Sequence, residues 1–190
     1  KVFLPFDHLK ARKTFNDISG IRNFVEKQLG PPFVKIISQS IQWSNRFLKA
    51  HAKRIQQRIE RGFKRDFHGD LHSGNIFLYR NPVLFDCIEF NERYRQIDVL
   101  YEVAFLCMDL ERFSKKSLSN ALLSTYTSYF PCFEEEEDEH IFVYFKCLRA
   151  NVRAKVHAMS AALMQDTRGV KRHSDEVKKY LMLMKAYMNE

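Results

Sequence analysis

Residues 68–75 read HGDLHSGN, and residues 83–86 read VLFD. Asp70 and Asn75 lie five residues apart in the first stretch, where two glycines favour a tight loop. Asp86 follows an apolar run that is typical of a short strand. Together the three side chains offer carboxylate and amide oxygens, which are the ligands that Mg²⁺ prefers in proteins.

Phosphoryl transfer is a chemistry that needs these residue types, because it depends on positioning and on charge neutralisation more than on covalent work. The pattern predicts Asp70 as the catalytic base beside an acceptor hydroxyl. It predicts Asn75 and Asp86 as the protein ligands of a nucleotide-bound Mg²⁺. His68 is grouped with them on the nucleotide side of the site, where its expected role is to brace the loop through hydrogen bonds.

Two short apolar runs, residues 76–79 and 82–85, are joined by Arg80 and Asn81 and predict a β-hairpin. Such a hairpin brings Asn75 and Asp86 to the same end. The segment 76–86 is therefore the predicted metal-binding hairpin, and 68–75 is the predicted catalytic loop.

Three further polar residues are candidates for supporting roles. His72 is a loop residue or a contact on the substrate side. Glu89 contacts substrate or pairs with a nearby arginine, and the sequence leaves the choice open. Asp98 precedes an apolar helical pattern, which predicts that it caps that helix.

The segments 68–76 (HGDLHSGNI), 84–91 (LFDCIEFN) and 97–99 (IDV) resemble the aminoglycoside phosphotransferase and choline kinase family. The resemblance is closest to bacterial aminoglycoside phosphotransferase-like proteins of unassigned substrate. It implies the C-terminal lobe of a protein-kinase-like fold, mainly α with a small β-hairpin. It also implies ATP or another nucleoside triphosphate as phosphoryl donor, Mg²⁺ as cofactor and a small hydroxylated acceptor. In the resembling kinases the aspartate that corresponds to Asp98 also braces the catalytic loop, and this is the role that we favour for Asp98 over that of a helix cap alone.

The segment before Asp70 lacks the other half of such a site. It contains no glycine-rich loop, no P-loop and no strand-borne lysine with a helical glutamate partner. We therefore expect residues 1–190 to form a single helical domain whose N-terminal lobe is missing in cis, and which is inactive alone. A catalytically silent, kinase-like binding or regulatory domain is the alternative.

Charge is distributed unevenly along the 190 residues. The net charge is +11 over residues 1–65, −9 over 66–140 and +6 over 141–190. An acidic region around the predicted site favours a cationic acceptor such as an amino sugar or amino alcohol. Nucleic-acid binding by the basic segments is less favoured, because the cations recur along an amphipathic helix and predict a solvated face that includes Arg54 and Arg58.

Other features limit the remaining classes. The histidines and aspartate of the HGDLH segment could hold zinc if it were a strand, but two glycines favour a loop. The four cysteines show no CxxC spacing and are expected to be reduced thiols. No apolar run reaches the roughly 18 residues that a membrane span needs, and residues 1–10 do not resemble a signal peptide, so the expected location is cytoplasmic.

Apolar periodicity predicts the remaining helices. We expect helices at residues 15–29, 32–62, 116–129, 138–164 and 175–187. A break is expected near residues 38–40. Gly62 is expected to end the second helix, and Gly169 to separate the last two.

Overall fold

A computed structural model of the protein describes residues 4–190. The first three residues of the predicted 1–190 domain, and of the 1–10 segment, lie outside the described residues. The described chain is mainly helical with short strands, which confirms the expected mainly α class with a small β component. Its helices and strands are α1 (His8–Asn16), α2 (Arg22–Leu29), α3 (Pro31–Glu60), β1 (Lys64–Asp66), β2 (Ile76–Phe77), β3 (Val83–Leu84), β4 (Gln96–Asp98), α4 (Val99–Arg112), α5 (Lys116–Tyr129), α6 (Glu136–Leu163) and α7 (Thr167–Tyr187).

The strands form two antiparallel pairs. The pair β2–β3 is a hairpin at the predicted place, with Ile76 opposite Leu84 and Phe77 opposite Val83. Its strands are shorter than predicted, and residues 78–82 connect them. The two-residue turn expected at Arg80 and Asn81 would place Phe77 opposite Leu84, so the predicted register is wrong by one residue, because Pro82 has no N–H for the pair that closes such a turn. The pair β1–β4 was not predicted, because its strands are three residues long and mostly charged or polar. It places the start of the 68–75 loop beside the strand that leads into α4.

The described chain divides into two compact units, and the prediction of a single domain stays a prediction. The first unit comprises residues 4–6 and 51–146 and holds both strand pairs. Its helix α4 packs on α5 and buries one apolar face. The buried core side chains of this unit include Phe63, Leu100, Val103, Phe105, Met108, Ile141 and Tyr144.

The second unit comprises residues 7–50 and 147–190. Helix α2 packs against α7 there. Asn151 is buried and donates a hydrogen bond of 3.0 Å from Nδ2 to the carbonyl of Phe15. The buried apolar side chains of this unit include Ile18, Val25, Ile37, Val177, Leu181 and Met184.

Helix α3 confirms the long helix predicted at residues 32–62. It begins at Pro31, whose ring favours the first helical position. It ends in a Schellman motif: Gly62 has φ +82°, its N–H donates to Ile59, and the next N–H donates to Arg58. The expected break near residues 38–40 is wrong, because the serine hydroxyls there bond back to helix carbonyls and leave the helix intact.

Two other helix boundaries differ from the prediction. The helix expected at 15–29 is interrupted by a 3₁₀ turn at Asp17–Ile21, a segment whose polar and glycine residues favour turns over α-helix. Helix α7 begins at Thr167, eight residues earlier than expected. Gly169 lies in its first turn and donates from its N–H to the capping carboxylate of Asp166, so it does not separate the helices.

The basic face predicted on α3 is wrong at Arg54 and Arg58, which are fully buried. Arg54 donates to the carboxylate of Asp138 at 2.8 and 2.7 Å. Arg58 binds both oxygens of Asp98 at 2.8 and 2.9 Å and lies 3.0 Å from Asp138. Burial alone would raise the pKa of Asp138, but hydrogen bonds from Arg54 and from the N–H of Glu134, with the charge of Arg58, lower it to about 2.

Within residues 4–190, every helix is too short or too polar to cross a bilayer. The four thiols are free, as expected from their spacing.

Candidate active site

The loop at residues 68–75 depends on glycine for its first turn. Gly69 has φ +83°, a conformation that L side chains rarely adopt. A Cβ at this position would also lie 2.9 Å from the carbonyl oxygen of Tyr94. The backbone of the loop therefore packs closely against the segment that precedes β4.

His68 joins this loop to the segment around Asp86. Its Nδ1 accepts a 3.3 Å hydrogen bond from the N–H of Asp70, so the proton is on Nε2, which donates to the carbonyl of Phe85 at 2.7 Å. The carbonyl of His68 accepts from the N–H of Ile88 at 3.1 Å. These contacts confirm that His68 braces the loop, while its predicted place on the nucleotide side stays a prediction.

Asn75 is the second connection within the site. Its Nδ2 donates to the carbonyl of Asp70 at 3.0 Å and lies 3.4 Å from the Asp70 carboxylate. Both partners are acceptors, which fixes the orientation of the amide. The Asn75 side-chain oxygen accepts no hydrogen bond from any residue between 4 and 190, so it is available to a ligand.

The hairpin brings Asp86 to the same end as Asn75, as predicted, although its strands are shorter and its connection longer than expected. The N–H of Phe85 donates to the carbonyl of Asn75 at 3.1 Å, directly beyond the Ile76–Leu84 pair. Asp86 itself has φ +61°, which is uncommon for a residue other than glycine. Its carboxylate is exposed and has no hydrogen-bond or ion-pair partner in the described part of the chain. Strained, unpaired polar residues of this kind occur often at functional sites.

A cavity of about 450 Å³ lies beside Asp70 and Asp86, and Asn75 is not among its lining residues. It is lined by Asp70, Asp86, Glu89 and their neighbours at positions 87, 88 and 90. Three of its six lining residues are acidic and none is basic, so its electrostatic potential favours cations. Glu89 is exposed and has no partner among residues 4–190, so the alternative that paired it with an arginine is wrong.

Two buried acids of α4 hold the loop backbone, a role that was not predicted for them. The Glu102 carboxylate accepts from the N–H of His68 at 3.0 Å and from that of Gly69 at 3.2 Å. Asp109 accepts from the N–H of Ser73 at 2.9 Å and from its hydroxyl. Glu102 and Asp109 are seven residues apart on an apolar helix, a pattern that could have indicated them, because a buried acid needs a partner.

Asp98 caps α4, as predicted, by accepting from the N–H of Leu100 at 2.8 Å. Its carboxylate also pairs with Arg58. The carboxylate that contacts the loop is that of Glu102, so the bracing role predicted for Asp98 is wrong in its direct form. Asp98 supports the loop only through the β1–β4 pair that it helps to anchor.

His72 lies at the start of the short 3₁₀ turn Ser73–Asn75. Its Nδ1 accepts from the N–H of Gly74 at 3.0 Å, and its Nε2 lies 3.6 Å from the Asp70 carboxylate. Its ring is 5.4 Å from that of Phe105. His72 is therefore a loop residue with one side near the candidate base, and its contact with substrate stays a prediction.

The residues from 68 to 72 form a loop and not a strand, so they do not share one face as the zinc alternative required. Between residues 4 and 190, no three side chains of the His, Cys, Asp and Glu types are grouped to hold a metal. Mg²⁺ usually takes one or two protein oxygens and completes its shell with phosphates and water, so the amide oxygen of Asn75 and the carboxylate of Asp86 are of the kind that it uses.

The chain is similar to mycobacterial proteins whose names state no role. Uncharacterized proteins from two strains of Mycobacterium tuberculosis and from Mycobacterium bovis are each 28% identical to it over 150 residues. The aligned region is 78% of this chain and 29% of each relative, so the chain spans less than a third of the length of these curated relatives. No protein-family model matches the chain, and no solved structure does.

Proposed function

We propose that residues 4–190 form the C-terminal lobe of an ATP- and Mg²⁺-dependent phosphotransferase that acts on the hydroxyl of a small molecule. The proposed type is that of the aminoglycoside phosphotransferases and choline kinases, as the sequence resemblance implies. The proposal rests on the hydrogen bonds of His68 and Asn75, which connect the loop of Asp70 with the residue before Asp86. The carboxylates of Asp70 and Asp86 both line one acidic cavity.

In the proposed reaction Asp70 accepts the proton of the acceptor hydroxyl. The hydroxyl oxygen bonds to the γ-phosphorus of the nucleotide while the bond between that phosphorus and the β–γ bridging oxygen breaks, and the nucleoside diphosphate leaves. Asn75 Oδ1 and the Asp86 carboxylate are the oxygens that would hold Mg²⁺, which when bound neutralises phosphate charge. Asn75 also positions Asp70, because its Nδ2 lies 3.4 Å from the base.

The cavity supports a cationic acceptor. Glu89 lies on its wall with Asp70 and Asp86, and no lysine or arginine is among its six lining residues. An amino group near Glu89 would be favoured by this charge, and Phe90 adds an exposed apolar surface beside it. Amino sugars and amino alcohols are the acceptor class that these features favour.

The same lining favours a second candidate, a catalytically silent kinase-like domain that binds or regulates. A phosphotransferase of this type needs a cation to grip the phosphates of the nucleotide, and the cavity lining contains none. In the preferred proposal that cation comes in cis from the N-terminal lobe that the resemblance implies.

A phosphoryl-transfer assay separates the two candidates. The longest natural polypeptide that carries these residues is incubated with γ-labelled ATP, Mg²⁺ and a panel of hydroxylated amines. We expect label to appear on an acceptor, and Asp70→Asn to lower the rate by at least 100-fold with little change in ATP affinity. Asp175→Asn is the matched control, since Asp175 is exposed on α7 and has no partner in the described chain. Nucleotide binding without transfer, equal in wild type and Asp70→Asn, would favour the silent domain.

A further inference from the structure

Strand β1 and helix α5 enclose a second cavity that shares no lining residue with the acidic one. Its volume is about 370 Å³. Most of its wall is aromatic or aliphatic, and one charged side chain, Arg65, completes it. The apolar residues of the wall are Phe67, Leu122, Tyr126, Tyr129 and Phe130.

A third cavity shares part of this wall. The third has a volume of about 240 Å³ and shares the wall residues Phe67, Leu122 and Tyr126. Its other walls include Leu71 of the 68–75 loop and Leu84 of strand β3. The two cavities are therefore neighbours, and a path past these three shared side chains would lead from Arg65 to the underside of the candidate catalytic loop. This path is called the apolar passage.

Arg65 is arranged to receive an anion. Its Nε donates to the carbonyl of Gly62 at 2.9 Å, and its guanidinium carbon lies 4.7 Å above the centre of the Phe130 ring. These contacts hold the planar group in place. Both terminal nitrogens lack a hydrogen-bond partner between residues 4 and 190, and a fixed guanidinium with open donors is suited to a carboxylate.

The far end of the passage has the opposite charge. Glu102 lines the inner cavity and is 4% exposed. A second carboxylate buried beside it would be repelled, because charges of the same sign interact strongly where water is excluded. An occupant with one acidic end is therefore oriented with that end at Arg65 and its apolar part inward.

We propose that this passage is a binding site for an amphipathic carboxylate of the medium-chain fatty acid class. The carboxylate binds the terminal nitrogens of Arg65, and the alkyl chain lies along Phe67, Leu122 and Tyr126 toward Leu71. Because Leu71 belongs to the 68–75 loop, an occupied passage contacts the loop that carries Asp70. The proposal does not depend on the phosphotransferase assignment.

Calorimetric titration of the 190-residue chain with sodium decanoate, below its micelle concentration, tests the site. We expect saturable binding to one site, with decanol and decyltrimethylammonium bound at least tenfold more weakly. Shortening the chain from decanoate to nonanoate and octanoate should weaken binding by about fourfold for each methylene removed from the apolar passage. Equal affinity for the acid, the alcohol and the ammonium compound would overturn the proposal, as would the absence of binding.

Matched variants locate the site. Arg65→Gln should weaken decanoate binding at least tenfold, and Arg80→Gln, at an exposed arginine outside the passage, should leave it unchanged. Leu122→Trp should abolish binding by filling the shared part of the passage. Leu118→Trp is its control on the same helix, where Leu118 is 52% exposed. Wild-type affinity in Arg65→Gln, or in a folded Leu122→Trp, would contradict the proposed location.

Photolabelling of the wild-type protein keeps the test independent of whether the variants fold. A decanoic acid with a diazirine near its methyl end is irradiated with the chain, and the labelled peptides are identified by mass spectrometry. Label should concentrate in residues 67–71 and 122–130. Label confined to other segments, or spread evenly, would refute the site.

Discussion

The stability of the protein should depend on pH in the acid range through Asp138. Its carboxylate is fully buried between Arg54 and Arg58 and also accepts from the N–H of Glu134 at 2.8 Å. Burial alone would raise its pKa, but these partners lower it from the ordinary value of 3.8 to about 2. A group whose pKa is lower in the folded state stabilises that state above the unfolded pKa. Its contribution is complete above pH 3.8 and is lost as the pH falls toward 2.

The size of the effect follows from the shift and the contacts. A difference between 3.8 and about 2 corresponds to about 2 kcal/mol of unfolding free energy that acid removes. Replacing Asp138 with Asn at pH 7 has a larger effect, because two buried guanidinium groups each lose one carboxylate partner, while Arg58 keeps Asp98 and Arg54 keeps partners on the chain before Asp138. Removal of one partner from a buried ion pair costs about 3–5 kcal/mol.

Urea unfolding followed by far-ultraviolet circular dichroism measures both quantities. Wild type, Asp138→Asn and the control Asp175→Asn are compared at several values between pH 7 and pH 2. The gap between wild type and Asp138→Asn should be largest at pH 7 and should narrow by about 2 kcal/mol between pH 4 and pH 2. The control should follow wild type throughout. A gap below about 1 kcal/mol at pH 7, or one that does not change with pH, would show that Arg54 and Arg58 do not stabilise the ionised carboxylate of Asp138.

Three further predictions concern the thiols and the loop. At pH 8 Cys87 alone should react quickly with iodoacetamide, because burial raises the pKa of the other thiols, so mass spectrometry should show one early adduct. Equal labelling of several cysteines in the folded protein would contradict this prediction. Those buried thiols are Cys107 and Cys132, each with a pKa of about 11, and Cys147. In a thermal melt, Gly69→Ala should lower the unfolding free energy by about 1–3 kcal/mol, because φ is +83° and the added Cβ meets the Tyr94 carbonyl. The control Gly20→Ala should have little effect, because a Cβ at Gly20 meets open space. Glu102→Gln should speed hydrogen exchange at the amides of His68 and Gly69 by roughly tenfold or more, because the substitution removes a charge-assisted acceptor. An unchanged exchange rate would show that the carboxylate does not hold the loop.

The parts of the site that depend on local sequence could be predicted. The hairpin follows from two apolar runs separated by a turn, and so does the placement of Asn75 and Asp86 at one end of it. Its register does not follow, because the two-residue turn expected at Arg80 and Asn81 is a five-residue connection and the pairing is shifted by one residue. The cap at Asp98 follows from an acid placed before an apolar helix. Each of these features is determined by residues close together in the chain, so periodicity and turn chemistry are enough to find it.

The parts that depend on distant contacts could not. Arg54 and Arg58 have the spacing of a solvated face, yet they are buried because Asp98 and Asp138, far along the chain, neutralise them. Strand β1 is too short and too charged to be distinguished from a loop until its partner β4 is known. Sequence spacing gives no sign of which partner a buried charge or a short strand will meet.

The proposed phosphotransferase site requires that Asp86 binds a divalent cation together with nucleotide. Mn²⁺ replaces Mg²⁺ and is visible by electron paramagnetic resonance, so free Mn²⁺ can be titrated with the chain in the presence of ATP. We expect a loss of the free-ion signal with wild type and Asp175→Asn that depends on ATP and is weakened at least tenfold by Asp86→Asn. The same signal loss in wild type and Asp86→Asn would contradict the assignment of Asp86 as a metal ligand.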